Sequence, residues 1–78
     1  MKIRILNLPR DFDENQLARM FKSYGNIRDC TLVKDQKTGQ SKGFGFVEMA
    51  TSHEGEEAIK ELHGSKIGKN KIRVKVAE

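Results

Sequence analysis

Glycine and phenylalanine alternate in the middle of this chain, in the run Lys42-Gly43-Phe44-Gly45-Phe46-Val47-Glu48-Met49. In a β-strand, successive side chains point to opposite faces. Val47 and Met49 then belong to a buried face, and Gly43 and Gly45 share it. Phe44 and Phe46 point the other way, together with Lys42 and Glu48. Half of the chain's four phenylalanines are thus sent away from the core. Each exposed ring forgoes about 1.5–3 kcal/mol of burial. A chain of 78 residues is one small domain with a thin stability margin, so two such losses call for a use. A register slipped by one residue would instead turn two glycines outward and leave Val47 in solvent.

The flanking sequence predicts the rest of the sheet. Lys2 to Leu8 alternates, with Ile3, Ile5 and Leu8 on one side and Arg4 and Leu6 on the other; Asn7 and Pro9 end it. Asp13 and Gln16 have the spacing of a helix capping box, and Phe12 and Leu17 that of a hydrophobic staple. Leu17, Phe21 and Tyr24 fall near one helical face, and Gly25 is the expected stop. A second strand is predicted over Ile27 to Lys34, with Cys30 and Leu32 on one face and Thr31 and Val33 on the other. Asp35 to Ser41 is a polar turn, and Lys42 to Met49 is the third strand. Thr51 and Glu54 form another capping box. It opens a helix whose Gly55, Ala58, Ile59 and Leu62 make one buried stripe, and Gly64 stops that helix. Ile67 is placed in a short hairpin arm. Lys71 to Val76 alternates once more, with Ile72, Val74 and Val76 inward and Arg73 and Lys75 outward. The order β-α-β-β-α-β predicts an α+β fold. It is a ferredoxin-like sandwich: a four-stranded antiparallel sheet with two helices on one face and the other face open.

Charge is sorted along the chain. The net charge is +4 overall, but residues 65–78 carry +4 and residues 51–64 carry −3. Basic strands beside an acidic second helix suggest a polyanionic partner. Aromatic rings among basic groups suit nucleic-acid bases, since each ring can stack one for about 1–3 kcal/mol. The single cysteine, Cys30, excludes an internal disulfide and is read as a small buried hydrophobe. With one cysteine and two histidines there is no metal-ligand spacing, and no apolar run approaches a membrane span. The opening Met1 to Leu6 is too short a stretch for a secretory signal. An intracellular protein is expected, cytoplasmic in a bacterium, nuclear or cytoplasmic in a eukaryote. The initial methionine favours an intact small protein.

The run Lys42 to Met49 resembles the octapeptide signature of the RNA-recognition motif at seven of its positions; only Met49 departs, in place of an aromatic. Ile3-Arg4-Ile5-Leu6-Asn7-Leu8 resembles the family's hexapeptide. Asp35 to Ser41 resembles its loop between the second and third strands, and Ala58-Ile59 and Leu62-His63-Gly64 its second helix. The resemblance covers nearly the whole chain, so residues 1–78 are expected to form a single such domain that binds single-stranded RNA, or single-stranded DNA, as a monomer. It implies that Phe46 stacks on a 3′ base, that Phe44 packs between two sugars, and that Lys42 pairs with a phosphate. Arg73 and Lys75 would reach phosphates or base edges, Ala77 would touch bases, and Lys37 would contribute from the loop. Thr31, Val33, Leu6 and Glu48 complete the expected surface. Two positions of the hexapeptide depart: Arg4 replaces an aromatic that stacks on a 5′ base, and Leu6 replaces a common glycine.

Other functions fit less well. The same architecture hosts acylphosphatase-like hydrolysis, and Arg10 could bind an anion, but no nucleophile–base pair is apparent and no catalytic residue is assigned. A metal chaperone would need paired cysteines in the first loop, and no cofactor is implied. A protein-interaction module is the main alternative. The peptide-binding members of the family carry an Arg-x-Phe motif before the last strand, where this chain has Gly68-Lys69-Asn70-Lys71 without an aromatic.

Overall fold

A computed structural model describes residues 1–77; Glu78, the last residue of the expected domain, lies outside the described residues. The elements are β1 (Lys2–Leu6), α1 (Glu14–Lys22), β2 (Ile27–Lys34), β3 (Ser41–Met49), α2 (Ser52–Leu62), β4 (Lys66–Ile67), β5 (Asn70–Lys71) and β6 (Arg73–Val76). Four strands form one antiparallel sheet in the order β2-β3-β1-β6, and β4 and β5 make a separate two-stranded hairpin. The architecture is the predicted βαββαβ sandwich. No helix among the described residues is long and apolar enough to cross a membrane.

One face of the sheet makes the core. Ile3 and Ile5 of β1, Leu32 of β2, Val47 and Met49 of β3 and Val74 of β6 are buried, and Leu17, Phe21, Ala58 and Leu62 close over them from the helices. Gly45 is what lets α1 come so near: a Cβ there would lie 2.6 Å from the Thr31 carbonyl oxygen and 3.2 Å from Leu17 Cδ2. The α1 capping box forms as expected. Asp13 accepts from Gln16 N at 2.8 Å, and the Gln16 side chain accepts from Asp13 N at 3.0 Å.

The structure departs from the sequence reading at several points, each with a local cause. β1 ends at Leu6, because Asn7 adopts a left-handed φ of 65°. That turn breaks the alternation and is why Leu8, of the opposite parity to Ile3 and Ile5, is still buried. The α1 cap is Ser23, two residues before Gly25. Only half of the second capping box forms: Thr51 accepts from Glu54 N at 3.1 Å, while the Glu54 carboxylate is drawn to Asn26 N at 3.3 Å and lies over Gly25. Gly55 is buried as expected, but the gap it leaves is filled by the Met1 side chain. The predicted strand from Lys71 to Val76 is divided between β5 and β6. Val76 is 45% exposed despite its core-side parity, since it sits at the end of an edge strand. Cys30 is only half-buried at the margin of the core. Burial, and then the Glu14 and Asp29 carboxylates, push its thiol up to about 11.

Candidate nucleic-acid interface

Strand register lays the open face out as rows that cross the sheet. In the central row Thr31 of β2 faces Phe46 of β3, Phe46 faces Arg4 of β1, and Arg4 faces Lys75 of β6. On one side of it Phe44, Leu6 and Arg73 follow one another. On the other side stand Asp29, Glu48 and Lys2, and the Ala77 amide donates to the Lys2 carbonyl at 2.8 Å. The burial pattern of β3 alternates strictly, so Phe44 and Phe46 are left half-exposed on the face without helices. Their rings meet edge to face, with centroids 6.3 Å apart and planes at 85°. Two perpendicular rings cannot both lie flat on the sheet. The face and the edge of an aromatic ring are different recognition surfaces.

The sheet sets Arg4, Leu6, Thr31, Phe44, Phe46, Glu48, Arg73, Lys75 and Ala77 near one another. Val33, half-buried, and exposed Lys42 line a groove with Lys37, under the loop between β2 and β3. That loop is folded around one carboxylate: Asp35 accepts from Lys37 N at 2.8 Å and from Thr38 N at 3.0 Å. The Thr38 and Lys37 amides hold the Asp35 carboxyl below its ordinary range.

Four contributors escaped the sequence reading. The Lys2 ammonium lies over the Phe46 ring, 5.1 Å from its centroid, in cation–π geometry. Strand parity alone could have placed Lys2 beside Arg4. Asp29 shares the open face with Glu48 and makes that corner acidic. Asn7 and Asn70 tie the end of β1 to the hairpin: Asn7 Nδ2 donates to the Lys71 carbonyl at 3.0 Å, and Asn70 Nδ2 donates to the Asn7 carbonyl at 3.1 Å. Nothing in the local sequence announces that pairing across 63 residues. No group of three or more His, Cys, Asp or Glu side chains among the described residues is placed to hold a metal ion.

The model of the RNA recognition motif family matches residues 3–73. The chain belongs to the RNA recognition motif family. A curated relative, the chloroplastic RNA-binding protein CP31B of Arabidopsis thaliana, is 42% identical over 77 residues, which is 99% of this chain and 27% of that protein. The chain spans less than half the length of the curated relatives it matches. Among solved structures, RNA binding protein PG1 superposes with a TM-score of 0.94 at 33% identity, covering 100% of this chain and 95% of that one. A structure described as a Sxl-lethal protein/RNA complex superposes with a TM-score of 0.95 at 30% identity, covering 99% and 46%. In this RNA recognition motif the octapeptide run sits on β3 and the first four residues of the hexapeptide run on β1, paired without a slip from Lys2–Glu48 to Leu6–Phe44. The departure at Arg4 therefore lies directly beside Phe46.

Proposed function

We propose that the open face binds single-stranded RNA, by stacking on the phenylalanine rings and pairing phosphates with the surrounding cations. The observation that carries this reading is the exposure of Phe44 and Phe46 on a helix-free face, edge to face, with Arg4 and Lys75 in the same row as Phe46. Membership of the family supports it, as does the likeness to a protein solved with RNA. Phe46 offers its face: Lys2 already lies over it, so a stacking base displaces that ammonium and frees it for a phosphate. Phe44, perpendicular to it, offers an edge to a neighbouring sugar. Lys42, Arg73 and Lys75 pair with phosphates, and Lys37 reaches the strand from the loop. The acidic corner of Asp29 and Glu48 repels phosphate and accepts hydrogen bonds from base edges. The role is binding without catalysis, and it places the protein inside the cell, where its ligand is.

The test is the double variant Phe44→Ala, Phe46→Ala, followed by thermal melting beside titration with short RNA pools. RNA binding should be lost, a cost of about 1–3 kcal/mol for each stacked base, with the fold intact. A large drop in melting temperature with affinity retained would make the rings part of the core and remove the site.

A further inference from the structure

Glu48 of β3 and Asp29 of β2 stand directly opposite each other on the open face, and both are exposed. Like charges in directly opposed strand positions destabilise a sheet. On this face they also repel the phosphates of an RNA strand. The other cross-strand neighbour of Glu48 is Lys2 of β1, whose charge is of the right sign to neutralise it. The Lys2 ammonium lies instead over the Phe46 ring, 5.1 Å from its centroid. Asp29 has a local use, since its Oδ1 accepts from Cys30 N at 2.9 Å. Among the described residues the Glu48 carboxylate has no comparable tie. Phe46 precedes it by two residues on the same strand and face, about 7 Å away. A base stacked on Phe46 therefore meets a free carboxylate at its rim.

An ionised carboxylate only accepts hydrogen bonds, through two oxygens set side by side. The four bases differ in what their Watson–Crick edges set against such a pair. Guanine carries two donors next to each other, N1–H and the 2-amino group. Adenine and cytosine each place one amino donor beside a ring-nitrogen acceptor. Uracil places its single N3–H between two carbonyls. In these three an acceptor is turned toward a carboxylate oxygen, so one bond is exchanged for repulsion.

We propose that Glu48 selects guanine: the base stacked on Phe46 turns its N1–H and 2-amino group to the Glu48 carboxylate, which accepts from both. This rests on the RNA-binding reading of the open face and adds a base identity to it. Asp29 adds negative potential to the same corner, which favours the donor-rich edge of a base over a phosphate. The like-charge pair is thereby explained as a reader whose cost in stability and in phosphate affinity is offset by discrimination.

The experiment titrates oligouridine hexanucleotides that carry one central guanosine, inosine, adenosine or cytidine, with the all-uridine hexanucleotide as reference. Wild type should bind the guanosine hexanucleotide about tenfold more tightly than the adenosine, cytidine or uridine ones, the low end of what one bidentate base contact discriminates. Inosine, which keeps N1–H and lacks the 2-amino group, should lose most of that preference. In Glu48→Gln the ratio of guanosine to uridine affinity should fall to within about twofold, because an amide offers one acceptor and one donor. Glu56→Gln makes the same change of charge on the exposed side of α2 and should keep the wild-type ratio. The wild-type Glu48 carboxyl carbon resonance, followed by NMR, should move further with guanosine than with inosine, a readout independent of how well any variant folds. A wild type that prefers another base or none, a preference that survives in Glu48→Gln, one that is lost equally in Glu56→Gln, or a Glu48 resonance indifferent to the 2-amino group would overturn the selection and leave the sheet reading standing. Failure of wild type to bind any of the hexanucleotides would overturn both.

Discussion

Arg4 stands between Phe46 and Lys75 in the centre of the open face, at the position where the family pattern expects an aromatic ring. Strand parity placed it there from the sequence alone, because a buried Ile on either side leaves it nowhere else to point. Its chemistry is less constrained than its place. A guanidinium can stack on a base through its plane or pair with a phosphate through its edge. Stacking on it is weaker than on a full ring, so Arg4→Phe should keep or raise affinity, by up to about 1 kcal/mol, and Arg4→Ala should lose affinity modestly. Both variants are to be measured at low and high salt. If Arg4→Phe binds much worse than wild type at low salt and equals it at high salt, Arg4 is a phosphate ligand. If both variants match wild type, the 5′ position is unused. Lys2 shows the complementary limit of sequence reading. Its parity was legible, but that its ammonium bends over Phe46 depends on a flexible side chain finding a ring face, which alternation does not encode.

At the scale of elements, the regular parts were legible because period-2 and period-3.6 patterns and capping spacings are local signals. β2, β3 and both helices fall where those patterns put them. The departures arise where a distant partner decides. Leu8 is buried through the turn at Asn7, Glu54 leaves its cap for Asn26, and the last strand is interrupted where Ile72 turns inward between β5 and β6. His63 belongs with these: Val74 N, on the edge strand β6, donates to its Nδ1 at 3.0 Å. The imidazole thus occupies a donor that an edge strand would otherwise expose to pairing with another chain. His63→Ala should lower stability by about 0.5–1.5 kcal/mol and speed exchange of the Val74 amide above all others in β6. Unchanged exchange at Val74 would show that solvent serves that amide equally well. The loop between β2 and β3 makes a pH prediction. The Asp35 carboxyl is held below its ordinary range by the Thr38 and Lys37 amides, so its contribution is full above the unfolded value. It is lost as pH falls through the lower, folded value. Acidification below the ordinary carboxylate range should therefore shift the Lys37 and Thr38 amide resonances before the sheet melts. Asp35→Asn, which keeps an acceptor but cannot titrate, should abolish that shift, and a shift that persists in the variant would assign it elsewhere.

For the whole molecule, the sorting of charge seen in the sequence becomes a spatial division. The sheet end formed by Arg10, Lys42 and Arg73 is basic, the Asp29–Glu48 corner is acidic, and α2 carries its glutamates on the far side of the core. A polyanion approaching this molecule is steered toward the basic end, and its path over the sheet is biased away from the acidic corner. The size of the electrostatic share follows from counting partners. If Lys42, Arg73 and Lys75 each hold a phosphate and Lys37 sometimes a fourth, the log–log dependence of affinity on salt should have a slope of about −2 to −3, at about −0.7 per phosphate. Stacking on Phe46 and sugar packing against Phe44 add a share that salt does not screen, so appreciable binding should persist at high salt, where a purely basic tail would let go. Lys75→Ala separates the two contributions. Lys75 sits in the row of Phe46 and Arg4 but at the outer edge of the sheet, where it can touch the backbone of the strand more readily than a base. Its loss should weaken all RNA sequences about equally and make the slope shallower by about 0.7. A sequence-dependent loss with an unchanged slope would instead make Lys75 a reader of base edges. A wild-type slope near zero would remove the phosphate contacts and leave the rings to carry the binding alone.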